Sequence, residues 1–171
     1  MAVASKSQFS VFRRKAAKRP RAAPSAVEEQ FLLKWDGGAP MPILLQSDSR
    51  TYLLFLLANS EGEVGVIEFL ECLATKFGHP NDEVLQGHPL YSTGLKFYGF
   101  ARIESSPWIE EVEEINSVHS GHTPGLFGEF KHFILSFHDS TFECLANGYS
   151  ATSVKGSLIQ VASSLVAGLY E

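Results

Sequence analysis

The chain is poor in cysteine, in long apolar runs and, over its first 27 residues, in acid. Only two cysteines occur among 171 residues, Cys72 and Cys144, and they do not form a C-x-x-C pair. That excludes a disulfide-dense scaffold and the common structural zinc spacings, and it predicts two buried free thiols. A cysteine nucleophile is disfavoured as well, because Cys144 falls on the apolar face of a predicted hairpin. The longest unbroken apolar run, Tyr52 to Ala58, is far below the roughly 20 residues that cross a bilayer, and the C-terminal run is broken by Ser163, Ser164 and Gly168. No membrane span is expected. Also missing are a Gly-rich phosphate loop with its Lys, a G-x-S-x-G elbow, an H-E-x-x-H helix and a dinucleotide fingerprint.

No acid precedes Glu28, and the segment before it carries seven of the chain's 14 Lys and Arg: Lys6, Arg13, Arg14, Lys15, Lys18, Arg19 and Arg21. Taking that +7 out of the formal net charge of −5 leaves −12 on residues 28–171. The two parts are therefore read separately, residues 1–27 as a basic leader or arm and 28–171 as one globular domain. An acidic body argues against broad contact with nucleic-acid phosphates. The basic segment, rich in Ser, Ala and Arg, has the composition of an organelle transit peptide and resembles the leaders of algae and plants. It would direct the protein to a plastid or mitochondrion; a retained arm on a cytoplasmic protein is the alternative, for contact with nucleic acid, an anionic membrane or an acidic partner. Pro20 and Pro24 would stop any helix entering from Phe9, so the segment is expected to contribute little to the core.

Within the body, Phe31 to Trp35 and Ile43 to Gln46 are short apolar segments around Asp36-Gly37-Gly38-Ala39-Pro40, which predicts a first hairpin or meander. Thr51 to Ala58 reads as a strand. Val64 to Phe77 has some helical spacing, but its place after a strand and a turn favours a returning strand. A polar loop follows from Gly78 to Ser92, with one short helical turn at Asp82 to Gln86. Leu95 to Ile103 alternates like a strand, and Ser106-Pro107 opens a helix carrying Glu110, Glu111, Glu113 and Glu114. Phe130 to Gly148 predicts a hairpin around Asp139-Ser140, with Phe133, Leu135, Phe137, Phe142, Cys144 and Ala146 forming an apolar face. Ser157 to Tyr170 predicts a terminal amphipathic helix. The fold class is therefore α+β, an antiparallel sheet of about five to seven strands with helices packed on it.

The other face of the hairpin holds the first candidate site. A two-residue turn sets His138 opposite Thr141, Ser136 opposite Glu143 and His132 opposite Asn147. A histidine and a carboxylate at that spacing can act as a base with its orienter, which makes His138 and Glu143 the candidate catalytic pair. The second candidate is the loop with His79, Asp82, Glu83 and His88, each histidine lying in Gly-His-Pro. Two imidazoles and two carboxylates suit zinc, iron or manganese, though the spacing matches no strong metal signature and names no cofactor. A third, His119-Ser-Gly-His122, resembles a ligand pair.

The segments FGHPNDEVLQGHPLY and FHDSTFECLANGY resemble those of small uncharacterised bacterial proteins, with similarity running from about Gln30 to the C-terminus. That resemblance implies a self-contained body in which both polar segments belong to one design, and it transfers no activity. The sequence therefore points to a binding or interaction module whose ligand groove lies between the 78–91 loop and the 132–147 hairpin, with His79, Asp82, Glu83, His88, Tyr91, Ser136 and Thr141 along it. The alternatives are an enzyme, metal-assisted or His/Glu acid-base, in which His138 and Glu143 meet His79 and His88, and a structural subunit of a larger assembly.

Overall fold

A computed structural model describes residues 22–58, 60 and 62–169. The basic segment up to Arg21, and with it the expectation of a leader or arm, lies outside the described residues except at its end. The expected antiparallel α+β class is found, with nine strands among the described residues distributed over two sheets. The strands are β1 (Ser25–Glu28), β2 (Ile43–Gln46), β3 (Thr51–Leu56), β4 (Glu63–Leu70), β5 (Ala74–Gly78), β6 (Phe100–Glu104), β7 (Lys131–Ser136), β8 (Thr141–Ala146) and β9 (Gly148–Lys155). Two helices, α1 (Pro107–Asn116) and α2 (Leu158–Gly168), and two 3₁₀ turns at Asp82–Gly87 and Tyr91–Thr93 are the helical elements among the described residues. One sheet runs β1-β6-β7-β8-β5 and the other β2-β3-β4-β9. No helix among the described residues is long and apolar enough to cross a membrane.

The two sheets face each other across an aromatic core. Leu53, Phe55, Ile67 and Phe69 of the four-stranded sheet meet Phe100, Phe133, Leu135, Phe137, Phe142, Cys144 and Ala146. Phe69 and Phe142 stack at 5.2 Å between ring centroids. The outer face of the four-stranded sheet, with Tyr52, Leu54, Val64 and Val66, lies under Leu158, Val161, Ala162 and Leu165 of α2. Ser157 caps that helix in a reciprocal capping box with Gln160. The outer face of the five-stranded sheet is covered by Leu90 and Leu95 of the long loop and by α1, whose Trp108 ring packs on His132.

Several local expectations shift for identifiable reasons. Phe31 to Trp35 is not a strand: Trp35 makes a single bridge to Leu57, and β2 pairs with β3 instead. Val64 to Phe77 is extended but interrupted at Glu71, which has φ 49°, so that β4 and β5 belong to different sheets. The chain returns between the sheets beside this corner, where the Asn147 amide N–H donates to the Leu70 carbonyl at 2.9 Å. Leu95 to Gly99 stays out of the sheet, with Gly94 and Tyr98 at positive φ, and the strand starts at Phe100. β1 runs across the charge step at residue 28, pairing Ser25–Glu28 with Ala101–Glu104.

The β7–β8 hairpin forms with a longer turn than expected. The Phe137 N–H donates to the Ser140 carbonyl at 2.8 Å, and the register sets Ser136 opposite Thr141, Ile134 opposite Glu143 and His132 opposite Leu145. The expected pairs His138–Thr141, Ser136–Glu143 and His132–Asn147 are therefore not made. Because the slip amounts to two residues, the faces survive it: the side-chain period along a strand is two. Phe133, Leu135 and Phe137 face the core, and His132, Ile134 and Ser136 face outward with Glu143.

Candidate functional site

The outward face of β7 and β8 carries a buried chain of four polar side chains. On antiparallel strands in this register, His132 and Glu143 are diagonal neighbours, and His132 Nε2 lies 2.9 Å from Glu143 Oε2. His132 Nδ1 lies 2.8 Å from Ser106 Oγ. Ser106 is the N-cap of α1, and its hydroxyl oxygen accepts the amide N–H groups of Trp108 and Ile109 at 3.2 and 3.4 Å. At the other end His88 Nε2 lies 3.4 Å from Glu143 Oε1. The Leu90 N–H donates to His88 Nδ1 at 3.2 Å.

These outer contacts fix the proton positions between them. A nitrogen accepting from an amide cannot carry a proton, so His88 is protonated at Nε2 and donates to Glu143. The Ser106 oxygen already accepts two N–H groups, so its own proton goes to His132 Nδ1, and His132 donates from Nε2. Glu143 thus receives one imidazole N–H on each oxygen. Burial pushes its carboxyl up, but the bonds from His132 and His88 and the charge of Lys76 outweigh burial and hold it at about 2. His132 moves the other way: burial lowers it, Glu143 opposes this only in part, and the ring stays neutral near pH 7.

A cleft of about 200 Å³ opens on this chain, with Lys76, His88, Leu90, Trp108, Glu111 and Glu143 among its walls. Lys76 stands opposite Glu143 across the β5–β8 pair, its ammonium 3.8 Å from the centre of the Trp108 ring. The Glu143 side chain is 11% exposed and that of His88 6%, so the carboxylate reaches the cleft while the imidazole hardly does. Walls therefore come from the 78–91 loop, from both hairpin strands, from β5 and from the start of α1.

Of the four groups expected to meet, the structure brings together His88 and Glu143. His138 belongs to a second, exposed cluster: its Nδ1 is 2.9 Å from Asp139 Oδ1, and its Nε2 is 4.0 Å from Asp82 Oδ2. The Tyr98 hydroxyl donates to that Asp82 oxygen. Asp139 first and Asp82 second raise the His138 imidazole, while Tyr98 holds the Asp82 carboxyl down. Glu83 is exposed nearby, and His79, exposed before a cis peptide to Pro80, belongs to neither cluster. Thr141 Oγ1 donates to the Pro80 carbonyl at 2.8 Å and ties the loop to the sheet. Ser136 donates to the Lys96 carbonyl at 2.8 Å and borders a separate cavity of about 250 Å³. Tyr91 packs on Phe97, ring centroids 6.0 Å apart.

The chemistry of the donors bears on a metal. All four ring nitrogens of His88 and His132 are engaged, and among the described residues no three His, Cys, Asp or Glu side chains converge as ligands. His122 is 3.2 Å from Glu113 and takes the Asn116 amide on its other nitrogen, so it does not pair with His119. Ser106, His132 and Glu143 follow the order hydroxyl, imidazole, carboxylate, but Ser106 is 3% exposed and its oxygen caps α1. His132, Ser106, Lys76 and Trp108 were not among the expected site residues. His132 was visible on the polar hairpin face, and the other three carry no local signal, since only the packing of β5 and α1 brings them there. No protein-family model, no curated protein and no solved structure matches the chain.

Proposed function

We propose that the protein is a small-ligand-binding module whose site is the cleft between the 78–91 loop, the β7–β8 hairpin and the start of α1. The observation that carries this reading is Glu143: an ionised carboxylate, oriented by two imidazole N–H groups and facing a cleft with an apolar and aromatic wall. A carboxylate has about four acceptor positions, so two remain for a ligand. Trp108, Leu90, Pro89 and Pro107 offer a surface for an apolar or aromatic body, and Lys76 offers a donor at the rim. The ligand class is a small molecule with an N–H or O–H donor for Glu143, an acceptor for Lys76 and a compact body. Ligand pockets usually span about 300–1,000 Å³, so the cleft of about 200 Å³ fits a metabolite of amino-acid size and not a nucleotide.

The test uses Trp108. The chain has two tryptophans, and Trp35 lies in the core between the sheets. In ¹H–¹⁵N spectra recorded with a panel of small amines, amino acids and hydroxy acids, a true ligand shifts the Trp108 indole N–H and leaves that of Trp35 in place. Glu143→Gln abolishes the shift. A panel that never moves Trp108 sinks the reading.

A further inference from the structure

The two sheets have four outer strands among the described residues, and three of them are guarded. β1 has four residues, follows Pro24 and ends at Glu28, whose carboxylate binds Lys96 at 2.5 Å. β2 has four residues and follows Pro40 and Pro42. β5 has five, with Lys76 at its centre. Short length, proline and lysine are the ordinary means by which an edge avoids pairing with another chain. β9 has none of these over its first seven residues. It is eight residues long, contains no proline, and carries no charge before its last residue, Lys155. Its pairing with β4 runs unbroken from Glu63–Lys155 to Leu70–Gly148, so no bulge bends it away, and Ser150 to Lys155 are all exposed.

We propose that the protein self-associates through β9, two copies pairing antiparallel about a two-fold axis at Ala151 so that two four-stranded sheets become one. An axis perpendicular to the sheet keeps core-facing residues on one side, which requires like faces to meet. Centring on Ala151 satisfies this. Ser150 then faces the partner's Thr152, a hydroxyl pair of the kind that stabilises sheets, and Tyr149 faces the partner's Ser153. The ends decide in favour of a second copy over a foreign strand. Lys155 arrives opposite the partner's Asn147, and within each chain the Asn147 amide is bonded to the Glu71 carboxylate. Each copy thus offers a cation at one end of β9, opposite Glu63 of its own chain, and an anion at the other. Antiparallel self-pairing matches them twice.

Sedimentation equilibrium of the full chain tests the interface. A dimer is expected at about 100 μM, a concentration at which a modest specific interface is populated. Ala151→Lys places two ammonium groups on the axis at an exposed position; the fold and melting curve stay as in wild type, and the dimer weakens by about tenfold or more. Lys155→Glu also weakens it, by about tenfold over its two sites, and adding Glu71→Lys restores it. A wild-type chain that remains monomeric, or a dimer indifferent to Ala151→Lys, overturns the proposal. Failure of the charge exchange to restore association overturns the register.

Discussion

Glu143 on β8 and Lys76 on β5 stand directly opposite each other, and both turn to the outer face of the five-stranded sheet, where Trp108 of α1 lies beneath the ammonium. The anion, the cation and the aromatic ring therefore occupy one cleft although they lie up to 67 positions apart in the chain. The anion is the member with most at stake, because it is buried and takes both imidazoles.

Glu143→Gln leaves one oxygen to accept and turns the amide NH₂ toward an imidazole N–H. One buried donor loses its acceptor, at a cost of about 2 kcal/mol. Urea unfolding checks this, with a lower midpoint and an unchanged slope expected. A variant as stable as wild type would show that the chain contributes nothing to folding.

The pH dependence of stability has two windows below neutrality. His132 is depressed below its ordinary value, so the unfolded chain takes up a proton first, and stability begins to fall as pH drops below about 6.5. Glu143 is depressed from 4.5 to about 2, so its contribution is complete above 4.5 and is lost as pH falls from there toward 2. A depression of that size corresponds to about 3 kcal/mol at most. Melting temperatures from pH 8 to 3 should decline in both windows, and His132→Gln should remove the upper one.

Cys72 is the reactive thiol. Hydrogen bonding with Cys144 lowers it to about 7 against the opposing effect of burial, with help from Thr51 and the Ala74 backbone. Cys144 is buried in the core and raised well above the ordinary range, first by that burial. Iodoacetamide should therefore label Cys72 with a half-maximal rate near pH 7, and Cys144 only after unfolding. Peptide mass spectrometry distinguishes the two sites.

Gly65 is required by contact. A Cβ there would stand 2.3 Å from Cε2 of Phe55, a fully buried ring of the central core. Gly65→Ala must displace that ring, and overpacking of this kind costs about 1–3 kcal/mol. Thermal unfolding should show the loss, and Phe55→Leu should recover part of it in the double variant.

The sequence carried the periodic elements well. Ile43–Gln46 is a strand with the expected bounds, Ser106-Pro107 begins α1, and Ser157 caps α2. Both faces of the 130–148 hairpin were legible because alternation is a local property, and a slip of two residues leaves it intact. The break at Glu71 was hidden, since the positive φ of a non-glycine residue leaves no mark in composition. β9 was hidden too: Gly148 to Lys155 is an exposed edge strand without apolar alternation.

For the site, the residue types and the two segments that form the groove were in the sequence, because polar side chains in a Gly/Pro-punctuated loop and on one hairpin face announce themselves. Which of them meet was not. His88 reaches Glu143, and His138 turns to Asp82 and Asp139, because a four-residue turn sets the hairpin register and Thr141 ties Pro80 to the sheet. Ser106, Lys76 and Trp108 enter only when α1 and β5 pack beside β7 and β8. Periodicity along a chain specifies faces, but distances between faces depend on register and layer packing, which long-range contacts alone decide.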